Sequence, residues 1–114
     1  MPPFLFSGIS ERLEASHSGL VHRLARMYFL YILQSLKSKQ FYIGSSSDVQ
    51  KRLQAHNRGS NKSTKPYRPW TVVYIEELRD KSSAEKREWF LKHPAGYLEK
   101  KRIVEQYGRK GGVA

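Results

Sequence analysis

The chain has 114 residues, a length that suits one domain with a buried hydrophobic core and no need for covalent staples. It contains no cysteine, which excludes disulfides and cysteine-based zinc sites and is compatible with the reducing cytoplasm, where we expect the protein to act. Its 21 basic residues exceed its 10 acidic ones, and the formal charge of +11 favours a polyanionic partner, of which nucleic acid is the commonest.

Residues 1–26 differ in pattern from the rest and are predicted to be an extension of the core domain, flexible or with one short helix. The opening MPPFLFSGIS has neither the basic start nor the cleavage site of a signal peptide. The apolar residues that follow show only weak helical periodicity. No apolar run in the chain approaches the roughly 20 residues of a membrane helix, so we expect no membrane partner.

Two strand-like segments predict a β-hairpin at the start of the core domain. Residues 28–33, YFLYIL, are a compact apolar and aromatic run, and residues 40–44 are a second strand that ends at its glycine. If the loop is at 35–38, Tyr31 lies directly opposite Tyr42, and opposite residues share a face of the sheet. The two tyrosines are then either a packing pair or two functional phenols on one surface.

A helix and a third strand are predicted to follow the hairpin. Asp48 is a suitable N-cap for a helix that buries Val49 and continues to about residue 57. A basic loop with two prolines, at 58–70, leads to a strand at 71–77 that is rich in β-branched residues.

Two more helices complete the predicted order. Ser82 opens a capping box, SSAE, and Pro94 ends the helix that follows it. A third helix is predicted at 95–107, stopped by a glycine. The order β-β-α-β-α-α predicts an α+β domain at 27–108, with a small three-stranded antiparallel sheet flanked by helices, and a frayed tail at 109–114.

The first predicted helix carries two polar residues one turn apart. Arg52 and His56 are separated by four positions and therefore share a helical face. That face is either an exposed polar surface or part of a site that faces the two tyrosines.

Glu88 is the most informative acidic residue. Together with Ala84 and Leu91 it falls on a stripe of the second predicted helix that normally faces the core. A carboxylate there is costly unless it is paired or bound to a metal. It is therefore either an edge residue paired with Arg87 or Lys92, or a ligand of a hard cation such as Mg²⁺.

Taken together, these residues resemble the GIY-YIG nucleases over about residues 27–100. Residues 29–31, FLY, stand where the family has Gly-Ile-Tyr, and residues 42–44, YIG, match the second motif. The departure is Phe29 in place of the first glycine, at a position without a chemical role.

The resemblance extends to the charged positions. Arg52 lies ten residues after the second tyrosine, and His56 lies four residues further on. Glu88 stands in the helix after the third strand, where the family has its metal-binding glutamate. The run EWFLKHP, which begins at Glu88, is similar to the corresponding helix of structure-specific members.

The resemblance implies hydrolysis of a phosphodiester bond with one divalent ion, Mg²⁺ or Mn²⁺, held by Glu88. Tyr42 would be the general base, and because a tyrosine has an ordinary pKa of about 10, the metal and Arg52 would have to lower it. Arg52 would also stabilise charge on the phosphoryl oxygens. Tyr31 and His56 would hydrogen-bond the phosphate or the water, and His56 could share the proton transfer.

Substrate contacts are predicted at two further places. Gly44 would let the backbone approach the substrate closely. Between Asp48 and Glu76 there is no carboxylate, so the loop presents charge of one sign. Three basic residues of this loop are predicted to grip flanking phosphates, which positions a strand without reading its sequence: Lys62, Lys65 and Arg68.

We therefore expect a metal-dependent endonuclease whose partner is DNA, branched or single-strand-containing, and which selects DNA structure more than sequence. Its role would lie in repair, recombination or the processing of foreign DNA. Two alternatives stay open: a non-catalytic nucleic-acid-binding module that retains the fold, and an enzyme directed at RNA, since nothing in the sequence reads the sugar. The presence of all five reactive positions favours the enzyme.

Overall fold

The computed structural model describes residues 27–109, which form a sheet flanked by helices. In chain order the elements are β1 (Tyr28–Ser35), β2 (Phe41–Ser46), α1 (Val49–Arg58), a 3₁₀ turn (Lys65–Tyr67), β3 (Trp70–Leu78), α2 (Lys81–Lys92), a 3₁₀ turn (Pro94–Gly96) and α3 (Tyr97–Tyr107). The predicted α+β class and order of elements are confirmed. The extension predicted at 1–26 and residues 110–114 of the tail predicted at 109–114 lie outside the described residues, while the backbone N–H of Arg109 donates to Gln34 at 2.7 Å. Over residues 27–109, every helix is too short or too polar to cross a membrane.

β1 is the central strand of an antiparallel sheet with the order β2-β1-β3. Its side chains Tyr31 and Leu33 pack on the same face as Val49 of α1. Leu30 and Ile32 point to the other face, where α2 and α3 cover them. A strand that is covered on both faces is apolar at successive positions, which explains the unbroken run YFLYIL.

The hairpin register differs from the predicted one. Tyr31 lies opposite Gly44, and Tyr42 lies opposite Leu33, so the connection runs over residues 36–39 and the predicted pairing of the two tyrosines is wrong. Tyr31 and Tyr42 nevertheless share a face, because residues two apart along a strand point the same way. Their ring centroids are 6.3 Å apart.

Ser35 accounts for the shifted register. It is buried at the end of β1, and its backbone N–H donates to the carbonyl of Gln40 at 2.9 Å. Its hydroxyl accepts the backbone N–H groups of Lys37 and Ser38 at 3.0 and 2.9 Å and donates to the carbonyl of Tyr67 at 2.6 Å. A residue held in this way extends the strand and closes the turn, which an isolated serine in the sequence does not indicate.

The helix ends lie at the predicted capping and stop residues, with one exception. Asp48 caps α1 by accepting the N–H of Lys51, and Pro94 follows the end of α2. The predicted capping residue of α2, Ser82, is wrong, because the carboxylate of Asp80 accepts the N–H of Ser83 at 2.8 Å and starts the helix two residues earlier.

Candidate active site

Tyr31 reaches the site from the central strand and lies across Gly44 of the neighbouring strand. A Cβ atom at residue 44 would stand 2.6 Å from the hydroxyl oxygen of Tyr31 and 2.7 Å from its Cζ atom. Only a glycine therefore leaves room for this phenol. The strand end predicted at Gly44 is wrong, because β2 continues to Ser46, and Gly44 is buried beneath Tyr31. The observed role of Gly44 is to admit a side chain, and the substrate contact predicted there stays a prediction.

α1 places His56 beneath the sheet face that carries Tyr31. The imidazole is 2% exposed, its Nε2 lies 3.3 Å from the Tyr31 hydroxyl, and its Nδ1 lies 2.9 Å from the hydroxyl of Thr64. Burial lowers the pKa of His56, and the nearby Arg52 cation lowers it further. The alternative of an exposed polar face therefore fails for His56, which is a buried, neutral imidazole.

Arg52 lies one turn earlier on α1 and is exposed to solvent. Its guanidinium lies beside the hydroxyl of Tyr31, which raises the pKa of Arg52 and opposes the rise in the pKa of Tyr31. Burial of Tyr31 outweighs that effect and raises its pKa. Tyr31 is thus a neutral phenol beside an arginine that is exposed to solvent.

Tyr42 is the more accessible of the two tyrosines. It is half-buried, and its ring lies 4.7 Å from the ring of His56, measured between centroids. The ammonium group of Lys92 lies 5.4 Å from the centre of the Tyr42 ring. Within residues 27–109 the Tyr42 hydroxyl has no hydrogen-bond partner, so this oxygen is available to a water or a substrate.

Glu88 approaches the same corner from α2. Ala84 and Leu91 are fully buried, as the predicted stripe requires, whereas Glu88 lies at its edge with a quarter of its side chain exposed. Its Oε1 accepts the Ser45 hydroxyl at 2.7 Å, and its Oε2 pairs with the Lys92 ammonium at 2.8 Å. Of the two ion pairs that the sequence left open, the structure contains the one with Lys92.

Electrostatic coupling joins Glu88 to the rest of the corner. Its carboxylate raises the pKa of both Tyr31 and Arg52, and Tyr42 raises the pKa of the same two groups. Lys92 touches both Glu88 and the ring of Tyr42. All five residues predicted to be reactive therefore face one region, although they come from two strands and two helices.

The corner offers a divalent cation one carboxylate, that of Glu88. In the part of the chain that the structure describes, no three His, Cys, Asp or Glu side chains are grouped to hold a metal. Mg²⁺ commonly takes one or two carboxylates and completes its shell with waters and substrate oxygens, and carboxylate oxygen also suits Mn²⁺. The residues present fit such an ion, on the condition that Lys92 leaves Oε2.

The three predicted phosphate-binding residues of the basic loop have different surroundings. A pocket of about 360 Å³ is lined by Arg52, Ala55, His56, Ser60, Asn61 and Lys62. Lys62 therefore shares a concave surface with Arg52, while Lys65 is simply exposed. The guanidinium of Arg68 folds back to donate to the carbonyls of Lys65 and Arg58 at 3.0 and 3.4 Å. This contact gives Arg68 a structural role in the loop.

Two residues at the site were not predicted from the sequence: Ser45 binds Glu88, and Thr64 binds His56. Lys92, which neutralises Glu88, was readable as a partner because it lies four residues further along the helix. Thr64 gave no such signal, because only the path of the folded loop brings it to α1.

Comparisons with known proteins show which proteins the chain is similar to. The family model described as GIY-YIG catalytic domain matches residues 27–101. The UPF0213 protein CPE1444 of Clostridium perfringens is 36% identical over 67 residues, which cover 58% of this chain and 71% of that protein. The structure-specific endonuclease subunit SLX1 of Kluyveromyces lactis is 35% identical in an alignment of 108 residues that covers 85% of this chain and 38% of that protein.

One solved structure is among the proteins to which the chain is similar. The solution NMR structure of the UPF0213 protein BH0048 from Bacillus halodurans is 24% identical, with a TM-score of 0.45, and the match covers 77% of this chain and 94% of that one. The chain thus spans most of one small relative but well under half of the SLX1 subunit. Because the family model covers more than half of the chain and the motif residues meet in one corner, the chain belongs to the GIY-YIG nuclease family.

Proposed function

We propose that this protein is a metal-dependent endonuclease that hydrolyses DNA phosphodiester bonds. The observation that carries the proposal is the convergence of one exposed arginine, one accessible phenol and one edge carboxylate on a single corner: Arg52, Tyr42 and Glu88. Phosphoryl transfer asks a protein mainly to position groups and stabilise charge, and this corner supplies those elements.

The side chains divide the work according to their surroundings. The Tyr42 oxygen, which no described residue binds, would first lose its own proton to solvent and would then, as a phenolate, take the proton of the attacking water. Arg52, held by Tyr31, binds the phosphoryl oxygens where negative charge accumulates. Glu88 would hold the divalent ion, which acts when bound as a Lewis acid toward the phosphate and the departing oxygen.

Tyr31 and His56 take supporting roles in this proposal. Both are almost completely buried, and each uses its polar atoms on protein partners. They therefore orient Arg52 and shape the floor beneath Tyr42, and need not touch the phosphate themselves. This is narrower than the sequence-based expectation, which also allowed them direct contacts with water or phosphate.

Selectivity for DNA structure more than sequence is the second part of the proposal. Lys62 beside Arg52, and Lys65 on the exposed loop, can bind phosphates but carry no base-specific readout. The name of the SLX1 relative, structure-specific endonuclease subunit, supports branched or single-strand-containing DNA as the substrate. A role in cytoplasmic DNA repair, recombination or processing of foreign DNA would follow from that substrate.

One observation favours a non-catalytic binding module. The carboxylate of Glu88 already has a cation, the Lys92 ammonium at 2.8 Å. A protein that never bound a metal would satisfy Glu88 in this way. The basic loop alone would then explain the binding of nucleic acid.

Cleavage assays separate the two functions. Branched and linear DNA are incubated with wild type, Glu88→Gln and the control Glu85→Gln, with and without Mn²⁺; Glu85 is exposed on the same helix. The proposal predicts Mn²⁺-dependent cutting by wild type and the control, and a loss of about 100-fold or more in Glu88→Gln. Wild type that cuts no better than Glu88→Gln would leave the binding module as the function.

A further inference from the structure

A buried chain of hydrogen bonds runs from α1 through the central strand into the basic loop. The hydroxyl of Tyr31, which has the Arg52 guanidinium beside it, lies 3.3 Å from Nε2 of His56. Nδ1 of His56 lies 2.9 Å from the hydroxyl of Thr64, and this hydroxyl lies 3.3 Å from the carbonyl oxygen of Asn61. Tyr31, His56 and Thr64 are each at most 2% exposed, so water cannot substitute for a missing partner.

The partners of Tyr31 and Thr64 determine where each proton lies. The guanidinium beside Tyr31 can only donate, and the carbonyl oxygen of Asn61 can only accept. Among the described residues the Tyr31 O–H therefore has one acceptor, Nε2 of His56, which must then be unprotonated. Nδ1 carries the ring proton and donates it to Thr64, whose own hydroxyl hydrogen goes to Asn61.

The opposite arrangement leaves a buried donor without a partner. With the proton on Nε2, His56 would donate to the Tyr31 oxygen, and the neighbouring guanidinium of Arg52 cannot accept. The Tyr31 hydroxyl hydrogen would then have no acceptor among the described residues, at a position that water does not reach. An unsatisfied buried hydroxyl costs about 1–3 kcal/mol, so the first arrangement is favoured.

We propose that Thr64 is a positioning residue that fixes the ring proton of His56 on Nδ1. The hydroxyl hydrogen of Tyr31 then points away from Arg52, and the lone pairs of the Tyr31 oxygen point toward Arg52. Arg52 is then held with its free donors toward the phosphate. The catalytic consequence rests on the proposed function, but the proton arrangement does not. Neither the sequence pattern nor the matched relatives assign this role to Thr64.

The loop holds Thr64 firmly enough for this task. The carbonyl of Asn61 accepts the backbone N–H groups of Thr64 and Lys65 at 3.2 and 2.9 Å. The carbonyl of Thr64 accepts the indole N–H of Trp70 at 2.9 Å, and Trp70 is itself buried. The backbone N–H and carbonyl of Thr64 are thus both hydrogen-bonded, which holds its hydroxyl in place beside His56.

The proton arrangement is measured directly by NMR. Long-range ¹H–¹⁵N correlation spectra of the ¹⁵N-labelled protein distinguish a protonated ring nitrogen from one with a lone pair. His56→Gln identifies the signals of His56 among those of the four histidines. We expect wild type to hold the proton on Nδ1 and Thr64→Val, which removes the hydroxyl at constant shape, to lose that preference. A wild-type proton on Nε2 would overturn the inference whatever the enzyme does.

Single-turnover cleavage tests the consequence for catalysis. Thr64→Val should slow cutting by about 10- to 100-fold, a size typical of residues that orient functional groups, with DNA affinity unchanged. Thr64→Ser keeps the hydroxyl and should restore both the rate and the His56 signals. Thr64→Val that keeps the Nδ1 proton or the wild-type rate would contradict the role, as would Thr64→Ser without rescue.

The two proposals fail in different ways. If wild type cuts no DNA, the proposed function fails, and the NMR spectra of wild type and Thr64→Val still decide whether Thr64 orders the proton. If wild type cuts and Thr64→Val cuts equally well, the function stands and Thr64 is only a loop residue. Thermal unfolding of each variant shows whether a lost rate reflects a lost fold.

Discussion

At the scale of single residues, two tyrosines of the same sheet face have different properties because of their surroundings. Tyr31 is fully buried, its pKa is raised by that burial, and its hydroxyl is used by Arg52 and His56. Tyr42 lies one diagonal step away with a hydroxyl that no described residue binds. A general base must be accessible to the attacking water and must be able to lose its own proton. Of these two tyrosines, Tyr42 is the one that is accessible.

Gly44→Ala tests how closely Tyr31 packs on β2. The added Cβ would stand 2.6 Å from the Tyr31 oxygen, so the phenol must move, and overpacking of this kind costs about 1–3 kcal/mol. Urea unfolding should show that loss, whereas Ser47→Ala, at an exposed loop position, should change stability by less than about 0.5 kcal/mol. Equal stability of Gly44→Ala and wild type would show that the Tyr31 side chain can accommodate a Cβ atom at residue 44 without cost.

Acidification is expected to destabilise the protein through His56. Burial and the Arg52 cation lower the pKa of this imidazole in the folded state below the unfolded value of about 6.5. As the pH falls through the unfolded value, the unfolded chain binds the proton before the folded protein does. The stabilisation that His56 contributes to the folded state is complete above the unfolded pKa and is lost as the pH falls from there to the folded pKa.

The measurement is the free energy of unfolding in urea at about pH 7.5 and about pH 5.5. Wild type should lose more stability between the two than His56→Gln, which has no imidazole to protonate. The same loss in both proteins would mean that His56 titrates normally in the folded state.

Sequence reasoning named the five side chains that meet at the candidate active site but not the residues that hold them. Tyr31, Tyr42, Arg52, His56 and Glu88 carry a recognisable order and spacing. Thr64 stands eight residues after His56, beyond any helical spacing, and contacts it only because the loop turns back.

At the scale of elements, Arg87 fixes the helix that carries Glu88. Its guanidinium pairs with Glu76 of β3 at 3.1 Å and with Glu99 of α3 at 2.5 Å. Glu76 also accepts the hydroxyl of Tyr74, and burial together with Glu76 raises the pKa of Tyr74 to about 12. These contacts join β3, α2 and α3 at the residue next to Glu88, and Glu88 itself contacts Ser45 of β2.

Arg87→Met should destabilise the fold by about 2 kcal/mol, because it leaves two partly buried carboxylates without their charged hydrogen bonds. Chemical denaturation measures this loss. The neighbouring Lys86 is exposed, and Lys86→Met is the matched control, with an expected change below about 0.5 kcal/mol. Two variants of equal stability would show that the Arg87 contacts add nothing to the fold.

The elements were predictable where local rules decide and not where tertiary contacts do. The caps at Asp48 and Pro94 follow from local chemistry and are confirmed. The hairpin register depended on Ser35, whose partner Tyr67 lies 32 residues away. The α2 cap had two local candidates, Asp80 and Ser82, and the structure uses the first.

At the scale of the whole molecule, charge is unevenly distributed. The stretch between Asp48 and Glu76 has six basic residues and no acidic one. It includes α1 and the loop that borders the candidate active site. A surface of one sign beside the candidate active site would attract DNA at long range and bind it in a salt-dependent way.

DNA affinity should fall steeply with salt, since each neutralised phosphate releases counterions. Binding is measured in EDTA, so that no cleavage occurs, by titrating a labelled branched DNA at several salt concentrations. Lys62→Ala should lower the slope of log K against log salt by about 1, whereas Lys101→Ala, exposed on α3, should not. An affinity that does not change between low and moderate salt would contradict a phosphate-binding loop.

The central claim is that this corner hydrolyses phosphodiester bonds with Tyr42 as the base. The direct measurement is single-turnover cleavage of branched DNA in Mn²⁺ by wild type, Tyr42→Phe and the control Tyr97→Phe, whose ring is exposed on α3. The account predicts that Tyr42→Phe binds DNA normally and cuts at least about 100-fold more slowly, while the control matches wild type. Cutting by Tyr42→Phe at the wild-type rate would contradict it.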